Sequence, residues 1–429
     1  MYWNQSIETL PRAELEELQL TLLRDQISHA RENSPYYRQI LSGIEVHSLS
    51  DLRDLPFTNK QVIRERQEKK APFGDMVAVP ERDIVYISAS SGSTGVPTPS
   101  PFTGQDFDEW MDVEARIFTA AGLTPDDRYC HALNFSLFVG GPCVIGAQKL
   151  GALCIHAGTI PSDRLLAILK QFEATAIWTT PSYAWYLGET ALKEGIDPKK
   201  DLSIRRIFVA GEPGGSIPET RRRIEELWGA DIYDFYGISD IFGACAGMCQ
   251  EKNGLHIAED HILIEVLDPD TGEPVPDGSR GEMVLTTLRK RARPLIRFRT
   301  GDIITVTKVP CACGRTHTRI MGIHGRTDDM LIIKGVNVFP SDVEAVVRDI
   351  PDLTGEYRIV VDRQNHLDVI TIEVEAGVSG QEGLSDLVCK SLRARIGITA
   401  VVSILPVGTL PRETHKAKRV VDRRSHVWG

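Results

Sequence analysis

Between about residues 84 and 300 the chain alternates short β-branched runs with helix-like stretches, and this alternation limits the fold more than any other feature. Leu153-Cys154-Ile155 precedes a helical pattern around 165–172, and Ala176-Ile177-Trp178 precedes one around 184–192. Ile207-Phe208-Val209 precedes another around 219–227, with Ile232-Tyr233 beyond it. Strands joined through helices predict an α/β domain with a largely parallel sheet, and ligands of such sheets bind beyond the carboxyl ends of the strands. Residues 11–42 carry their own helical pattern, which starts at Pro11 and ends or kinks at Asn33-Ser34-Pro35. Residues 261–308 read instead as strands with hairpin-like connections. After Gly325-Arg326-Thr327-Asp328 the character changes again, to an α+β unit of domain size. A chain of 429 residues is too long for one typical core. The expected architecture is therefore α/β, with a large N-terminal domain over 1–326 containing layered sheets and a β-rich subdomain at about 257–326. A small C-terminal α+β domain is expected over 327–429.

Composition narrows the classes of function. The formal net charge is −10, which argues against a nucleic-acid surface, where a basic stripe is expected. The N-terminus lacks the basic and apolar regions of a signal peptide. No run of 18 or more apolar residues marks a membrane span. The eight cysteines are spread over a long chain without secretory features, so reduced thiols of a cytoplasmic protein, or metal ligands, are expected.

Four segments carry the chemistry. Ser88-Ala89-Ser90-Ser91-Gly92-Ser93-Thr94-Gly95-Val96-Pro97-Thr98 follows Ile84-Val85-Tyr86-Ile87, which reads as a buried strand. Glycines and hydroxyls in such a loop cradle a phosphate through backbone N–H groups; the plain alternative is a flexible Ser/Gly loop. Tyr233-Asp234-Phe235-Tyr236-Gly237-Ile238-Ser239-Asp240 brings an aromatic, a glycine and a carboxylate into one turn. It offers a ring for a base and a carboxylate for Mg²⁺, or simply a strand end with a buried tyrosine. Arg297-Phe298-Arg299-Thr300-Gly301-Asp302 puts a carboxylate on a tight turn, suited to two ribose hydroxyls or else a solvated turn aspartate. The fourth is the pair formed by the run from Gly325 to Pro340 and the late basic loop Leu410-Pro411-Arg412-Glu413-Thr414-His415-Lys416-Ala417-Lys418-Arg419. A lysine in that loop either neutralises a phosphate or carboxylate or belongs to a solvated tail.

In this order and spacing the segments resemble the acyl-adenylate-forming enzymes (acyl-CoA synthetases, adenylation domains and luciferases), and most closely the phenylacetate–CoA ligase branch. The likeness covers nearly the whole chain. Asp328-Asp329-Met330-Leu331-Ile332-Ile333-Lys334-Gly335-Val336-Asn337-Val338-Phe339-Pro340 is the most specific match. The resemblance implies that Ser90, Ser91, Gly92, Ser93, Thr94 and Gly95 wrap the ATP phosphates. Gly211, Glu212, Asp234, Tyr236 and Gly237 would line the nucleotide, with Tyr236 stacking on adenine. Asp302 would hold the ribose hydroxyls beside Arg326, and Asp240 would hold Mg²⁺. Lys416 would bridge carboxylate and α-phosphate as the catalytic lysine. Asp328 would be the hinge of a mobile small domain, and Lys334 and Gly335 would face the thiol acceptor's tunnel. Phe135, Phe138, Gly140 and Ile238 would line the acid's pocket, although core packing accounts for such aromatics equally well. The sequence departs from the family pattern at Val96, where relatives often carry Lys, at Asp240, usually Glu, and at His415, commonly Gly.

Cys311-Ala312-Cys313 forms a cysteine knuckle, and Cys249 and His256 lie upstream. Two such pairs are able to build a tetrahedral Zn²⁺ site, with His317 or His261 as alternative nitrogen ligands and free surface thiols as the plain alternative. Some members of the same branch carry this pattern as structural zinc. The resemblance thus implies an AMP-forming acid–thiol ligase that activates an aromatic or arylacetic acid with ATP and Mg²⁺ and passes the acyl group to CoA. A second reading is a stand-alone adenylating enzyme that delivers to a carrier-protein phosphopantetheine or an amine; a third is a degenerate nucleotide-binding regulator. A homodimer is the family expectation.

Overall fold

The computed structural model describes residues 1–90, 97–135, 140–327, 329–333, 336–364, 367–377, 383–411 and 419–424. Four helices open the chain: α1 (Gln5–Glu8), α2 (Arg12–Asn33), α3 (Pro35–Ile40) and α4 (Lys60–Lys69). Pro11 precedes α2, and Ser34 ends it while its side chain accepts from Tyr37 N–H as the cap of α3. The buried stripe of α2 includes Leu15, Leu23 and Ile27, but also Gln19 and Gln26. Their amides donate to the carbonyls of Glu259 (2.9 Å) and Lys290 (2.7 Å), so this helix is clamped to backbone far along the chain.

The ribbon β1 (Ile84–Ser90) and β2 (Thr98–Thr103) leads into α5 (Gly104–Ala120). A parallel run follows: β3 (Arg128–His131), α6 (Cys143–Leu150), β4 (Leu153–His156), α7 (Ser162–Gln171), β5 (Ala176–Thr179), α8 (Pro181–Lys193), α9 (Pro198–Asp201), β6 (Arg206–Val209), α10 (Pro218–Trp228) and β7 (Asp231–Ile238). Then come β8 (Phe242–Met248), β9 (Leu255–Ile257), β10 (Ile262–Leu267), β11 (Gly281–Thr287), β12 (Phe298–Thr307) and β13 (Arg319–Arg326). Among the described residues these strands form one eleven-stranded sheet in the order β10-β11-β12-β13-β9-β8-β7-β6-β5-β3-β4. The β-rich stretch is thus the antiparallel half of the same sheet. The pivot is β7, whose residues 231–234 pair parallel with β6 while residues 235–238 pair antiparallel with β8.

Both faces of the parallel half are covered, as the largely buried strands β3, β5 and β6 require. On the α5 side Phe118 meets Tyr129, Trp178, Phe208 and Phe235 edge-on, with ring centroids 5.2–5.4 Å apart. On the other side Ile177, Ile207, Val209 and Ile232 pack with residues of α7, α8 and α10.

The C-terminal stretch holds the hairpin β14 (Leu331–Ile333) and β15 (Val336–Val338), α11 (Pro340–Asp349), β16 (Leu353–Gln364), β17 (Leu367–Ala376), α12 (Leu384–Ile396), β18 (Val401–Pro406) and β19 (Val420–Asp422). Its four-stranded sheet, β18-β17-β16-β19, buries a hydrophobic core of its own. It meets α8 and α10 mainly through arginines. Arg223 donates to the carbonyls of Leu353 (2.8 Å) and Ile350 (2.6 Å), and the Arg348 guanidinium lies 4.2 Å from the Trp185 ring centre.

Three local expectations are corrected. The strand β1 is not buried: among the described residues it pairs only with β2, and Val85 is 66% exposed while Tyr86 turns in against Trp110. Residues 233–238 lie within β7, so the turn begins only at Ser239 and runs to Ile241. Asp302 sits on β12 beside a register shift and not on a tight turn.

Candidate active site

The sheet's pivot gathers the polar groups. Asp302 on β12 and Arg326 on β13 are cross-strand partners, and Arg326 Nη1 donates to Asp302 Oδ1 at 3.1 Å and to the Thr300 carbonyl at 3.1 Å. The Tyr236 hydroxyl, carried in by β7, donates to Asp302 Oδ2. Gly301, at φ +79°, lets the bulged strand pass beneath the guanidinium, since a Cβ there would lie 3.1 Å from Arg326 Nη2. Burial, and then the Asp302 carboxylate, push the Tyr236 phenol well above its ordinary value. Tyr236 therefore stays a donor, and its hydroxyl as well as its ring has a place in the site.

The loop after β6 is fitted closely to its neighbours. Glu212 accepts from the Ser182 backbone N–H at 2.7 Å, at the start of α8. A Cβ on Gly215 would lie 2.6 Å from Asp234 Cγ and 2.6 Å from Val209 Cγ2. Asp234 itself is buried beneath this loop, where it accepts from the Ser216 hydroxyl, and burial pushes its carboxyl up to about 7. The structure corrects the expectation that Asp234 faces a nucleotide: it supports the loop that bears Glu212.

Asp240 follows the end of β7. Its buried carboxylate lies 3.2 Å from Lys60 Nζ and 3.8 Å from Arg293 Nη2. Oδ2 accepts from Lys60, while Oδ1, also buried, has no hydrogen-bond partner among the described residues. Ser100 Oγ donates to the Asp240 carbonyl at 3.0 Å, and Ser88 Oγ to that of Ser239 at 3.4 Å, so both strands of the β1–β2 ribbon are fastened to the end of β7. Ser90 pairs with Thr98 in this ribbon. Lys60 and Arg293 carry no local sequence signal; only the fold brings them to Asp240.

Gly237 runs against β8, where a Cβ would lie 1.9 Å from the Gly243 carbonyl oxygen. Gly211 adopts φ +94°. Beyond β3, Phe135 is half exposed and lies parallel to His156 with ring centroids 6.4 Å apart; Gly140 is buried, and Ile238 packs on the main core. Ser91, Gly92, Ser93, Thr94, Gly95, Phe138, Asp328, Lys334, Gly335 and Lys416, with Val96 and His415, lie outside the described residues.

Away from the pivot, one ligand atom from each of Cys249, His256, Cys311 and Cys313 lies within 4.8 Å of all the others. Cys249 Sγ is 3.8 Å from Cys311 Sγ, and Cys313 Sγ is 3.5 Å from His256 Nε2. The knuckle is closed by Gly314 N–H donating to the Cys311 carbonyl at 2.9 Å, and Tyr2 OH donates to the Cys313 carbonyl at 2.7 Å. The alternative histidines are engaged elsewhere. The ring nitrogens of His317 face the carbonyls of Ile257 (2.9 Å) and Ile7 (3.1 Å), and those of His261 face Glu109 and Asp260.

Residues 22–287 match the family model of the AMP-binding enzymes, and residues 335–424 match that of the AMP-binding enzyme C-terminal domain. The chain belongs to the AMP-binding enzyme family. Within it, the chain is 39% identical to the phenylacetate-coenzyme A ligase of Thermus thermophilus, over 99% of this chain and 100% of that one. It is 38% identical to the enzyme of the same name from Escherichia coli, over 98% of each. A 2-hydroxyisobutyryl-CoA ligase solved in the postadenylation state superimposes with a TM-score of 0.92 at 32% identity, covering 98% of this chain and 92% of that one. The same ligase in its thioesterification state, with acyl-AMP and CoA, gives 0.74 at 33% identity, covering 99% and 93%. The two parts of the present chain are therefore arranged as in the former.

Proposed function

We propose that the chain is an ATP-dependent acid–thiol ligase that forms an aromatic or arylacetic acyl-CoA. The observation that carries this reading is the Tyr236–Asp302–Arg326 constellation at the pivot of a sheet shared over nearly full length with CoA ligases. A carboxylate oxygen of the acid attacks the α-phosphorus of ATP, and the bond to pyrophosphate breaks. The thiol of CoA then attacks the acyl carbon, losing its proton, and AMP leaves. Asp302 is the acceptor for the ribose diol, held in place by Arg326 and the Tyr236 hydroxyl. Glu212 and the Tyr236 ring flank the base. Lys416 meets the charge that develops at the α-phosphate. Val96 leaves the phosphate loop to its backbone N–H groups and hydroxyls. Mg²⁺ accompanies ATP as its counter-ion, and Asp240 would hold it. Domains 1–326 and 327–429 exchange conformations about Asp328, which presents Lys416 for one half-reaction and Lys334-Gly335 for the other. The arginine-built contact between them is of the polar kind that permits such motion.

A zinc ion at Cys249, His256, Cys311 and Cys313 belongs to the same reading. With bonds of about 2.3 Å to sulfur and about 2.05 Å to nitrogen, a tetrahedron sets S···S near about 3.8 Å and S···N near about 3.5 Å. The two separations given above have these values. Four protein ligands leave no open position, so the ion would tie the knuckle to β8 and β9 and take no part in the reaction.

Pyrophosphate release from ATP and Mg²⁺ with a panel of aryl and arylacetic acids, each with and without CoA, tests the function. Release that depends on the acid, with a thioester formed when CoA is present, is the expected result. Release indifferent to CoA would move the acceptor to a carrier protein or an amine, and silence across the panel would refute the reading. Lys416→Ala should abolish release while ATP still binds.

A further inference from the structure

The cysteine knuckle organises more of the chain than its four ligand residues. Residues 308–318 join β12 to β13 without helix or strand. Inside this stretch the backbone closes one turn: Gly314 N–H donates to the Cys311 carbonyl at 2.9 Å, and Cys311 N–H to the Arg315 carbonyl at 3.3 Å. Cys311 and Cys313 bring the stretch to Cys249 and His256. A loop so short of regular structure takes its shape from its metal ligands, and a structural zinc ion contributes directly to folding.

Residues 1–10 are laid on this loop. The Tyr2 hydroxyl donates to the Cys313 carbonyl at 2.7 Å, and the Tyr2 ring centre lies 4.8 Å from the Arg315 guanidinium. Gly314, at φ +87°, admits that hydroxyl, since a Cβ there would lie 2.3 Å from it. Arg315 donates through Nε to Glu8 Oε2 and through Nη2 to the Met1 carbonyl, each at 2.7 Å. The other oxygen, Glu8 Oε1, accepts from the backbone N–H groups of Trp3 (2.8 Å) and Asn4 (2.7 Å). Glu8 therefore ties its own segment together with one oxygen and meets the loop with the other. Thr316 adds two bonds, from its N–H to the Glu8 carbonyl at 3.1 Å and from its hydroxyl to the Leu10 carbonyl at 2.6 Å. His317 Nε2 lies 3.1 Å from the Ile7 carbonyl. The Glu8 and Arg315 side chains are only 1% and 5% exposed, so loss of either leaves the other charge buried and unpaired. Arg315 also faces the Cys313 sulfur. The residues that receive the segment, Cys313 to His317, thus begin at a metal ligand.

We propose that residues 1–10 form a metal-dependent clasp. Zinc at Cys249, His256, Cys311 and Cys313 fixes the loop in the geometry that receives Tyr2, Glu8 and Leu10. Glu8, acting through Arg315, in return holds Cys313 against the ion. Glu8 and Arg315 are positioning residues, since neither is a ligand. A coupling of this kind acts equally in both directions: the ion orders the segment, and the segment tightens the ion. Partners that orient a metal ligand are worth about 10-fold to 100-fold in affinity. The docked segment runs straight into α2, whose Arg12 reaches both oxygens of Glu259 at 2.9 Å and the Thr316 carbonyl at 3.0 Å, so loss of the ion also frees the entry to that helix. The inference rests on the zinc assignment made above.

The test reads both directions of the coupling in the full chain. Amide hydrogen exchange of residues 2–10 is compared in the zinc-loaded and the chelator-stripped protein, and zinc affinity is measured by competition with a chromogenic chelator. Stripping should speed exchange in residues 2–10 by at least about tenfold while β5 and β6 stay protected. Glu8→Gln should lower zinc affinity by about 10-fold to 100-fold. Glu265→Gln, which breaks the Glu265–Arg297 pair on β10, should leave zinc affinity unchanged. If stripping unfolds the whole chain, the affinity of Glu8→Gln decides; if Glu8→Gln does not fold, Tyr2→Phe replaces it and should weaken zinc in the same direction. Equal exchange in a stripped protein that stays folded, a wild-type affinity in the variant, or an equal loss in Glu265→Gln would overturn the clasp and leave the zinc assignment standing. A wild type that takes up no zinc would overturn both.

Discussion

Replacing Asp302 with asparagine separates the ribose-binding role from a structural one. The carboxylate is held on both sides, Oδ1 by Arg326 at 3.1 Å and Oδ2 by the Tyr236 hydroxyl. Asparagine is isosteric. Its amide oxygen still accepts from Arg326, and its NH₂ faces a tyrosine hydroxyl that is able to turn and accept. The local geometry therefore survives, but the charged acceptor for the ribose is lost. A hydrogen bond to a charged group contributes about 1.5–3 kcal/mol, so KM for ATP should rise by roughly 10-fold to 150-fold. The decisive comparison is between ATP and 2′-deoxy-ATP or 3′-deoxy-ATP in a pyrophosphate-release assay. The wild type should discriminate against at least one deoxynucleotide by a factor in that range, and Asp302→Asn should lose most of the discrimination. If the variant discriminates as the wild type does, Asp302 does not hold the ribose, however much its KM has changed.

Metal analysis of the purified protein should find about one zinc per chain. Cys313→Ala should lower that content together with Tm, by an amount bounded at about 4 kcal/mol if the ion acts as a cross-link closing the Cys249–Cys311 loop of 62 residues; a metal-free wild type of undiminished Tm would exclude the site. The Asp234 carboxyl, raised to about 7, keeps its proton in the folded chain after the unfolded chain has lost it. Its contribution is complete below about pH 4 and is lost as pH rises toward 7, so Asp234→Asn should gain in Tm relative to wild type over that interval, and a constant gap would contradict the assignment. Arg223→Ala removes two hydrogen bonds to carbonyls of the C-terminal domain. It should slow pyrophosphate release by about tenfold or more while sparing thioester formation from preformed acyl-AMP, at about 1.5–3 kcal/mol per charge-assisted bond; equal slowing of both steps would show that the contact does not select between conformations.

The alternation of strands and helices, the helix from Pro11 to Asn33 and the spacing of Cys249, His256, Cys311 and Cys313 were legible in the chain because each follows from local pattern. A strand period, a cap or a knuckle is written in a few neighbouring residues. The surroundings of Asp240 and Asp234 were not legible. Their motif neighbours mark them as ligand groups, yet Lys60 and Arg293 reach the first, and the loop bearing Ser216 covers the second. The exposure of Val85 was hidden for a related reason, since an apolar run does not say whether its strand has one neighbour or two.

By itself, the sequence determined the class of fold, the order of its parts and the chemistry of its motifs, because periodicity and turn chemistry act over short range. Only the tertiary structure decided that the antiparallel strands continue the parallel sheet through β7, that the Tyr236 hydroxyl meets Asp302, and that Lys60 reaches Asp240. Each of these depends on residues tens to more than a hundred positions apart being packed face to face. Burial then sets which carboxyl is paired, which is protonated and which remains available.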